Sequence, residues 1–312
     1  MDHQYRFTIF TPTFNRAGLL PRVYESLKAQ TYRDFEWLIV DDGSTDSTPA
    51  LVDGWSRENP FPIRYVWKSN GGKHTAYNRA AQEARGELLL TVDSDDAPLP
   101  AALALLAGHW ADIQSLPPAE AARFSGVTGL VQDQFGNLIG DRFPRDVIDS
   151  DSNEMLYRFK NIGDKFGFHR TAVFRDFPFP ELENRSFVPE SVVWNAIGRT
   201  YKTRFVNDLL HVAWLHDGQR LTNTRFAPKA APGQALWHRE VLNTNLRYFR
   251  YSPAKFIKSS VHYTRFSLHA GDSFLTQAKH LNGAAARALW MGAAPLGWLV
   301  YQRDRRATQL DR

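Results

Sequence analysis

The chain has 312 residues, of which 43% are hydrophobic, so it can bury the core of one large α/β domain with an appendage. It contains no cysteine, which excludes disulfides, cysteine metal sites and cysteine nucleophiles. The net charge of +5 is uneven, because residues 229–312 hold 13 Lys and Arg against 4 Asp and Glu, whereas residues 1–228 hold 25 against 29. Residues 229–312, the C-terminal tail, therefore carry a net charge of +9, and residues 1–228 carry a net charge of −4. This uneven distribution favours an anionic surface as the partner of the tail.

The first residues, MDHQYRFTIFTP, show no basic segment followed by a long apolar run. We therefore expect no signal peptide and a cytoplasmic location, with the basic tail as a possible peripheral contact with the inner face of the cytoplasmic membrane.

The first half of the chain alternates predicted strands and helices. Short apolar runs predict strands at Arg6–Thr11, Phe35–Val40, Ile63–Trp67 and Glu87–Val92. Helical spacing or start signals predict helices around Leu19–Leu27, after Ser47-Thr48-Pro49, and at Thr75–Ala84. This order predicts an α/β fold, in which helices cover both faces of a Rossmann-like, mostly parallel sheet.

The pattern changes after about residue 100. A hairpin is expected from Ser125–Gln132 and Asn137–Gly140, then a helix at Glu190–Arg199 and a strand at Thr203–Asn207. From about Ala230 the sequence is helical, with a break at Ser252-Pro253. We predict a domain over residues 1–228, with halves 1–110 and 111–228, followed by a basic helical region over 229–312.

Four polar clusters each follow a predicted strand. They are Pro12–Arg16, Asp41–Asp46, Asn70–Lys73 and Asp93–Asp96. Ligands of open α/β sheets bind beyond the carboxyl ends of the strands. The four clusters therefore predict one ligand site.

The cluster after the fourth strand is acidic. If strand geometry continues, Asp93 and Asp95 point to the same side, where their repulsion favours a cation. Hard oxygen ligands suit Mg²⁺ or Mn²⁺, which keep waters and bridge substrate phosphates. The alternative is a solvated acidic turn that caps a helix beginning near Pro100.

The ordered motifs resemble glycosyltransferase family 2, which has the GT-A fold. They read Pro12-Thr-Phe-Asn-Arg16, Val40-Asp-Asp-Gly-Ser-Thr-Asp46, Asn70-Gly-Gly-Lys-His-Thr-Ala-Tyr-Asn78 and Asp93-Ser-Asp-Asp96. The resemblance is closest over residues 6 to about 110 and continues to about 225. Each motif alone is weak, whereas the ordered set is specific.

The resemblance implies a role for each motif. Asp42 would accept a hydrogen bond from the base, usually uracil, and Asp95 would bind a metal ion on the diphosphate, with Asp93 near the ribose or the metal. Lys73 would lie near the phosphates, although a solvated loop lysine is the alternative. Residues 1–110 would be the nucleotide-binding half and 111–228 the acceptor and catalytic half. The residues implied to contact the nucleotide-sugar are Pro12, Thr13, Asn15, Arg16, Asp42, Asn70, Lys73, Asp93 and Ser94.

An inverting transferase needs a carboxylate that removes the acceptor's hydroxyl proton. Family members often place it at the start of a helix, and Phe187-Val-Pro-Glu-Ser-Val-Val-Trp194 matches that pattern, so Glu190 is our candidate base. The alternative for Glu190 is a first-turn glutamate favoured by the helix dipole. Asp217 and Glu183 are weaker candidates for the base, and His211 or His216 could supply a third metal ligand.

The resemblance implies a UDP-sugar as donor and a glycan or lipid-linked acceptor, as in the assembly of a bacterial surface glycan. Neither multiple membrane spans nor a Q-x-x-R-W element is present, which favours a non-processive enzyme. One alternative is a nucleotidyltransferase, but this would need a glycine-rich, lysine-bearing loop where the chain has PTFNR. The other is a non-catalytic module that binds nucleotide-sugars. Neither a P-loop nor G-x-G-x-x-G is present.

The basic tail contains an apolar run at residues 288–301 that is too short to span a bilayer comfortably. Arg287 precedes the run and Arg303, Arg305 and Arg306 follow it, which predicts an interfacial helical hairpin or anchor. The alternatives are a helix packed on the catalytic domain and a contact in a homodimer. Nucleic acid is not expected as a partner, since no nucleic-acid motif occurs.

Overall fold

The structure is a computed structural model that describes residues 3–182, 186–215 and 228–310. The chain forms two compact units, and the segments of each are interleaved along the sequence. The first unit comprises Met1–Ser152, Asn161–Phe179 and Ala196–Arg220. The second comprises Asn153–Lys160, Pro180–Asn195 and Leu221–Arg312. The division expected from sequence, at residues 228 and 229, stays a prediction.

The first unit is built on a mixed sheet, in which the described residues form nine strands. In chain order they are β1 (Tyr5–Thr13), β2 (Phe35–Asp41), β3 (Ile63–Trp67), β4 (Gly86–Thr91), β5 (Ala97–Pro98), β6 (Phe124–Asp133), β7 (Val147–Ser150), β8 (Lys165–Arg170) and β9 (Lys202–Ala213). The strand order is β3-β2-β1-β4-β8-β6-β9-β5, with β7 paired to β9. The block β3-β2-β1-β4 is parallel throughout, as is the β6–β9 pair, and antiparallel pairs add β8, β7 and β5. The α/β fold class predicted from sequence is confirmed.

Helices connect these strands and extend into the second unit. They are α1 (Leu20–Lys28), α2 (Thr48–Glu58), α3 (Lys73–Glu83), α4 (Ala102–Gln114), α5 (Pro118–Ala121), α6 (Ser152–Tyr157), α7 (Thr171–Asp176) and α8 (Ser191–Thr200). The C-terminal region adds α9 (Ala231–Thr244), α10 (Pro253–His269), α11 (Phe274–Lys279) and α12 (Ala284–Leu310), with 3₁₀ turns at Pro228–Ala230 and Leu246–Tyr251.

Central strands of the parallel block are buried on both faces, which favours the apolar runs Trp37–Val40 in β2 and Leu88–Leu90 in β4. All seven residues of β2 are buried. On one face Trp37 packs against Trp55 of α2, whose ring stacks on Tyr24 of α1 with centroids 4.5 Å apart. The helices begin where the sequence allows it, since α1 and α2 both carry proline in the first turn, where no helical N–H partner is lost. This rigid block fixes the positions of the strand ends.

Two elements of the second half differ from expectation. The hairpin after β6 closes with hydrogen bonds between Asp133 and Asn137, but its second arm makes only one bridge, from Gln132 to Leu138. The chain then turns away at Gly140, which has φ 83° and packs backbone to backbone against Gly163. Strand β9 continues beyond the predicted end at Asn207 to Ala213, because its parallel pairing with β6 runs on to Asp133. The Asn207 side chain bonds the backbone of Phe143.

The apolar run at residues 288–301 lies within one continuous helix, so the hairpin form of the prediction is wrong, whereas the interfacial anchor stays a prediction. The helix α12 packs along α10, where Gly297 lies so close to Val261 and Thr264 that a side chain would clash. Trp290 is buried and donates a hydrogen bond to Thr264 over 3.0 Å. Among the described residues, no helix is long and apolar enough to cross a membrane.

Candidate functional site

The polar clusters after β1, β2, β3 and β4 lie along one edge of the parallel block. Asp41 at the end of β2 is paired with Thr13 of β1 on one side and with Trp67 of β3 on the other. The N–H of Val92, directly after β4, donates to the carbonyl of Phe10 in β1. Since all four strands run the same way, the loops that follow them are neighbours, as the crevice rule for such sheets requires.

Asp42 organises the loop after β3. One carboxylate oxygen accepts from the Lys68 ammonium at 2.6 Å and from the Gly71 N–H at 2.8 Å. The other accepts from the Gly72 N–H at 2.7 Å and from the Asn70 amide at 3.2 Å. Because a carboxylate has about four lone-pair sites, this buried group is saturated within the protein. Asp42 therefore fixes the glycine turn, and a nucleobase could bond it only by replacing one of these donors.

Asn15 ties the loop after β1 to the loop after β2. Its backbone has φ 52°, a left-handed conformation that asparagine tolerates better than most residues. The Asn15 side chain accepts from the N–H of Thr45 at 2.8 Å, and its own N–H donates to the Ser44 hydroxyl at 2.8 Å. Pro12 and Thr13 lie buried at the end of β1, so the exposed part of this motif begins at Phe14.

Lys73 and Asp93 form an ion pair at the start of α3. The Lys73 ammonium lies 2.7 Å from one carboxylate oxygen of Asp93 and 2.8 Å from the other. Burial acts to raise the pKa of Asp93, but the Lys73 charge, with those of His211 and Arg16, outweighs burial and lowers that pKa. Asp93 is therefore ionised at neutral pH and loses its charge only below the ordinary range of an aspartate.

Asp95 is held by two arginines from the β1–α1 segment. A guanidinium nitrogen of Arg16 lies 2.9 Å from its carboxylate, and Arg22 donates to its backbone carbonyl. The Arg22 guanidinium also lies over the ring of Trp214, 4.0 Å from the centroid. Asp95 keeps partial solvent exposure, so a ligand can reach the carboxylate by displacing Arg16.

Asp96, the third carboxylate, joins this edge to β9. It accepts from the Trp214 N–H at 3.2 Å and lies 3.2 Å from the Nε2 atom of His211. His211 is buried and stacks on Phe166, with ring centroids 4.2 Å apart. Ser94 is buried in the turn between the three aspartates. Asp96 therefore acts as a structural link, while Asp93 and Asp95 are more exposed.

The carboxylates of Asp93 and Asp95 fit a hard divalent cation. Each is partly exposed and is paired with the cationic side chain of Arg16 or Lys73. No group of three His, Asp or Glu side chains within the described ranges is arranged to hold an ion. A Mg²⁺ or Mn²⁺ ion here would therefore take its other ligands from a substrate diphosphate and from water, as Mg²⁺ commonly does.

The candidate base lies in the second unit. Glu190 directly precedes α8, and its carbonyl accepts the N–H groups of Val193 and Trp194 at 3.0 and 3.1 Å. This places Glu190 at a helix start, as its sequence context indicated, and its role as a base stays a prediction. The weaker base candidates Glu183 and Asp217 lie outside the described residues, as does His216, a candidate third metal ligand.

Sequence reasoning missed three residues of this edge. Lys68 bonds Asp42, the carbonyl of Ser69 and the hydroxyl of Thr75, which is 2.7 Å away. Arg22 and Trp214, which are far apart in the sequence, pack against each other beside the acidic turn. The position of Lys68 directly after a strand could have indicated a site residue, because the other polar clusters also follow strands. The contact between Arg22 and Trp214 leaves no pattern in the local sequence.

Sequence comparison identifies a family over more than half of the chain. A model of the family described as Glycosyl transferase family 2 matches residues 8–179. Poly(ribitol-phosphate) beta-N-acetylglucosaminyltransferase TarS of Staphylococcus aureus is 32% identical over 93 residues, which are 29% of this chain and 16% of TarS. A GalNAc(5)-diNAcBac-PP-undecaprenol beta-1,3-glucosyltransferase of Campylobacter jejuni is 31% identical over 103 residues, 32% of this chain and 33% of that protein. The chain spans between 15% and 38% of the length of the first curated relatives that it matches.

Solved structures show the same fold. Residues 1–349 of S. aureus TarS, crystallised with UDP-GlcNAc, superpose with a TM-score of 0.61 at 18% identity, covering 96% of this chain and 92% of that one. A mannosyltransferase of Pyrobaculum calidifontis, in complex with GDP-Man and Mn²⁺, gives a TM-score of 0.52 at 19% identity, covering 98% and 84%. These similarities confirm the GT-A type of sheet that the motifs predicted.

The Arg16–Asp95 pair predicts a competition between arginine and metal. Replacing Arg16 with glutamine (Arg16→Gln) should tighten Mn²⁺ binding in the absence of nucleotide by about fivefold, because a partly exposed ion pair contributes about 1 kcal/mol. Titration of Mn²⁺ followed by electron paramagnetic resonance measures this directly.

Arg57→Gln is the matched control, since it removes the same charge from an exposed i,i+4 pair on α2. Equal Mn²⁺ affinity in Arg16→Gln and the native chain would contradict the competition.

Proposed function

This chain belongs to glycosyltransferase family 2, and from that premise we propose that it transfers a sugar from a nucleotide-diphosphate donor, in the first place a UDP-sugar. The observation that carries the proposal is the pair of carboxylates Asp93 and Asp95 directly after β4, the first paired with Lys73 at the start of α3 and the second with Arg16 after β1. The acceptor is proposed to be a glycan or a lipid-linked sugar.

The charges of the crevice suit a diphosphate. Asp93 and Asp95 would hold a Mg²⁺ or Mn²⁺ ion, and that ion would supply a counter-charge for the two phosphates. Lys73 and Arg16 would then exchange their carboxylates for phosphate oxygens. This exchange keeps every charge paired before and after binding, which avoids leaving a partly buried charge without compensation.

Uridine is the proposed base. The crystallised TarS fragment binds UDP-GlcNAc, and the P. calidifontis enzyme binds GDP-Man, so this fold accommodates more than one base. Asp42 would act mainly by holding the turn of Gly71 and Gly72, whose N–H groups it orients. The walls of the nucleoside pocket would come from residues 12–16, which Asn15 fixes to the neighbouring loop.

The proposed reaction is a direct displacement with inversion. Glu190 would take the proton of the acceptor hydroxyl as its oxygen forms a bond to the anomeric carbon from the face opposite the diphosphate. The bond between the anomeric carbon and the diphosphate oxygen breaks, and the nucleoside diphosphate leaves with the negative charge. The cations that surround the acidic turn would stabilise this charge as it develops.

The names of two relatives support an acceptor in surface glycan assembly. One adds N-acetylglucosamine to poly(ribitol-phosphate), and the other adds glucose to an undecaprenol-linked saccharide. Two other functions remain testable alternatives. A nucleotidyltransferase would release diphosphate from a nucleoside triphosphate and a sugar phosphate, and a non-catalytic module would bind the donor without hydrolysing it.

Removal of the Asp95 carboxylate tests the metal site. Asp95→Ala should weaken Mn²⁺-dependent binding of UDP by about 100-fold or more, because the diphosphate loses a counter-charge worth several kcal/mol. Isothermal titration calorimetry with Mn²⁺ and with EDTA measures the difference. Asp53→Ala, at an exposed position of α2, is the control and should bind UDP like the native chain. Native affinity in Asp95→Ala would rule out this metal site.

Replacement of the proposed base separates binding from transfer. Glu190→Gln should keep UDP-sugar affinity and lower the transfer rate by about 10²- to 10⁴-fold, because the amide preserves shape but accepts no proton. Radiolabelled sugar transfer to glycan acceptors measures the rate, and NMR should find the product anomer inverted. Glu120→Gln, on an exposed turn of α5, should transfer normally. Near-native turnover in Glu190→Gln would show that another residue acts as the base.

A further inference from the structure

One face of α12 is apolar and exposed. Met291, Leu296, Trp298 and Leu299 are 60%, 55%, 43% and 55% exposed, although the opposite face of the same helix is buried against α10. Side chains this large are costly to leave in water, and here they occupy successive turns of one helix. Contiguous exposed apolar patches of this kind mark interaction surfaces.

The patch continues onto α11. Phe274 and Leu275 are 42% and 67% exposed, and Phe274 lies near the buried Trp290 with ring centroids 6.4 Å apart. Between the two helices is an open, apolar pocket of about 380 Å³. Its lining residues are Phe274, Trp290, Met291, Ala294, Pro295 and Trp298. We call the exposed side chains of α11 and α12 together the α11/α12 face.

The charges around this face have one sign. Residues 288–302 contain no Asp, Glu, Lys or Arg, whereas Arg287 precedes them and Arg303, Arg305 and Arg306 follow. All four arginines are exposed. The acidic residue of α12, Asp304, is turned inward, where it pairs with Arg265 at 2.6 Å and with His269 at 3.0 Å. An apolar centre with cationic ends therefore faces solvent.

A second copy of this chain does not fit the α11/α12 face. Both ends of the apolar run carry exposed arginines, at Arg287 on one side and at Arg303, Arg305 and Arg306 on the other, and residues 288–302 contain no carboxylate that could pair with them. A two-fold contact would bring like-charged arginines together. The surface of an acidic bilayer fits both features, because tryptophan and methionine can enter the interface while arginines bind lipid phosphates.

We propose that the α11/α12 face docks the protein on membranes that contain anionic lipids, with α12 lying in the plane of the interface. The helix enters only to the depth of Met291, Trp298 and Leu299, and Arg303 and Arg306 stay at the headgroups. This proposal goes beyond the proposed glycosyl transfer and does not depend on it, since docking is measured without donor or acceptor.

Flotation of the full chain with vesicles tests the proposal. With vesicles of 70% phosphatidylcholine and 30% phosphatidylglycerol, a composition chosen as roughly that of an acidic leaflet, the protein should float with the lipid. With pure phosphatidylcholine it should float far less, and raising the salt concentration should release it from the acidic vesicles.

Two double variants separate the apolar and charged contributions. Met291→Glu with Trp298→Glu should lower vesicle partitioning by about 100-fold, since two apolar contacts become two like charges at an acidic surface. Arg303→Gln with Arg306→Gln should lower it by about 30-fold, because each cation near an acidic leaflet contributes a factor of about five. Each variant should keep the native thermal midpoint, which shows that it folds.

Matched controls make the same chemical changes elsewhere. Phe135→Glu with Ile162→Glu alters side chains that are 79% and 57% exposed in the first unit and should float like the native chain. Arg57→Gln with Arg145→Gln should do the same. Failure of the native chain to float with acidic vesicles, or equal flotation of native and Met291/Trp298 variants, would overturn the proposal. A dimer in light scattering that these variants dissociate, without vesicle binding, would also overturn it and assign the face to a second copy.

Discussion

Neutralisation of acidic side chains at one edge of the sheet is the constraint on which the candidate site depends. Parallel strands bring their carboxyl ends together, and here that geometry gathers Asp42, Asp93 and Asp95 in neighbouring loops. Each is compensated by a cation from a different loop or helix, with Lys68 on Asp42, Lys73 on Asp93 and Arg16 on Asp95. Without these pairs, repulsion and burial would each oppose the fold of the loops.

The three ion pairs differ in how readily a ligand could break them. Asp42 is buried and saturated by backbone N–H groups as well as by Lys68, so breaking its contacts would unfold the glycine turn. Asp93 and Asp95 are partly exposed and paired with the side chains of Lys73 and Arg16, and partly exposed ion pairs contribute only about 1 kcal/mol each. The site therefore combines a fixed turn with two exchangeable carboxylates, an arrangement suited to an anionic ligand that arrives with its own metal ion.

Local sequence patterns predicted the first half of the fold because its strands and helices are formed by consecutive residues with clear periodicity. The predicted strand Ile63–Trp67 matches β3, and the acidic turn lies directly after β4 as expected. Contacts between residues far apart in the sequence could not be predicted from such local patterns. Lys68 acts through a partner 26 residues earlier, Arg22 packs on Trp214, and segments 153–160 and 180–195 join the C-terminal helices in one unit. The hairpin predicted at residues 288–301 does not form, because the helix continues through Pro295 and Gly297 lets α12 pack closely on α10.

The most direct test of the central claim, that the acidic edge binds a nucleoside diphosphate through a metal ion, is calorimetric titration of the chain with UDP, GDP and ADP. Each nucleotide is titrated once with Mn²⁺ and once with EDTA, at the same pH and ionic strength. All measurable affinity should require Mn²⁺, and UDP should bind more tightly than GDP or ADP. Equal UDP affinity with Mn²⁺ and with EDTA would contradict the claim.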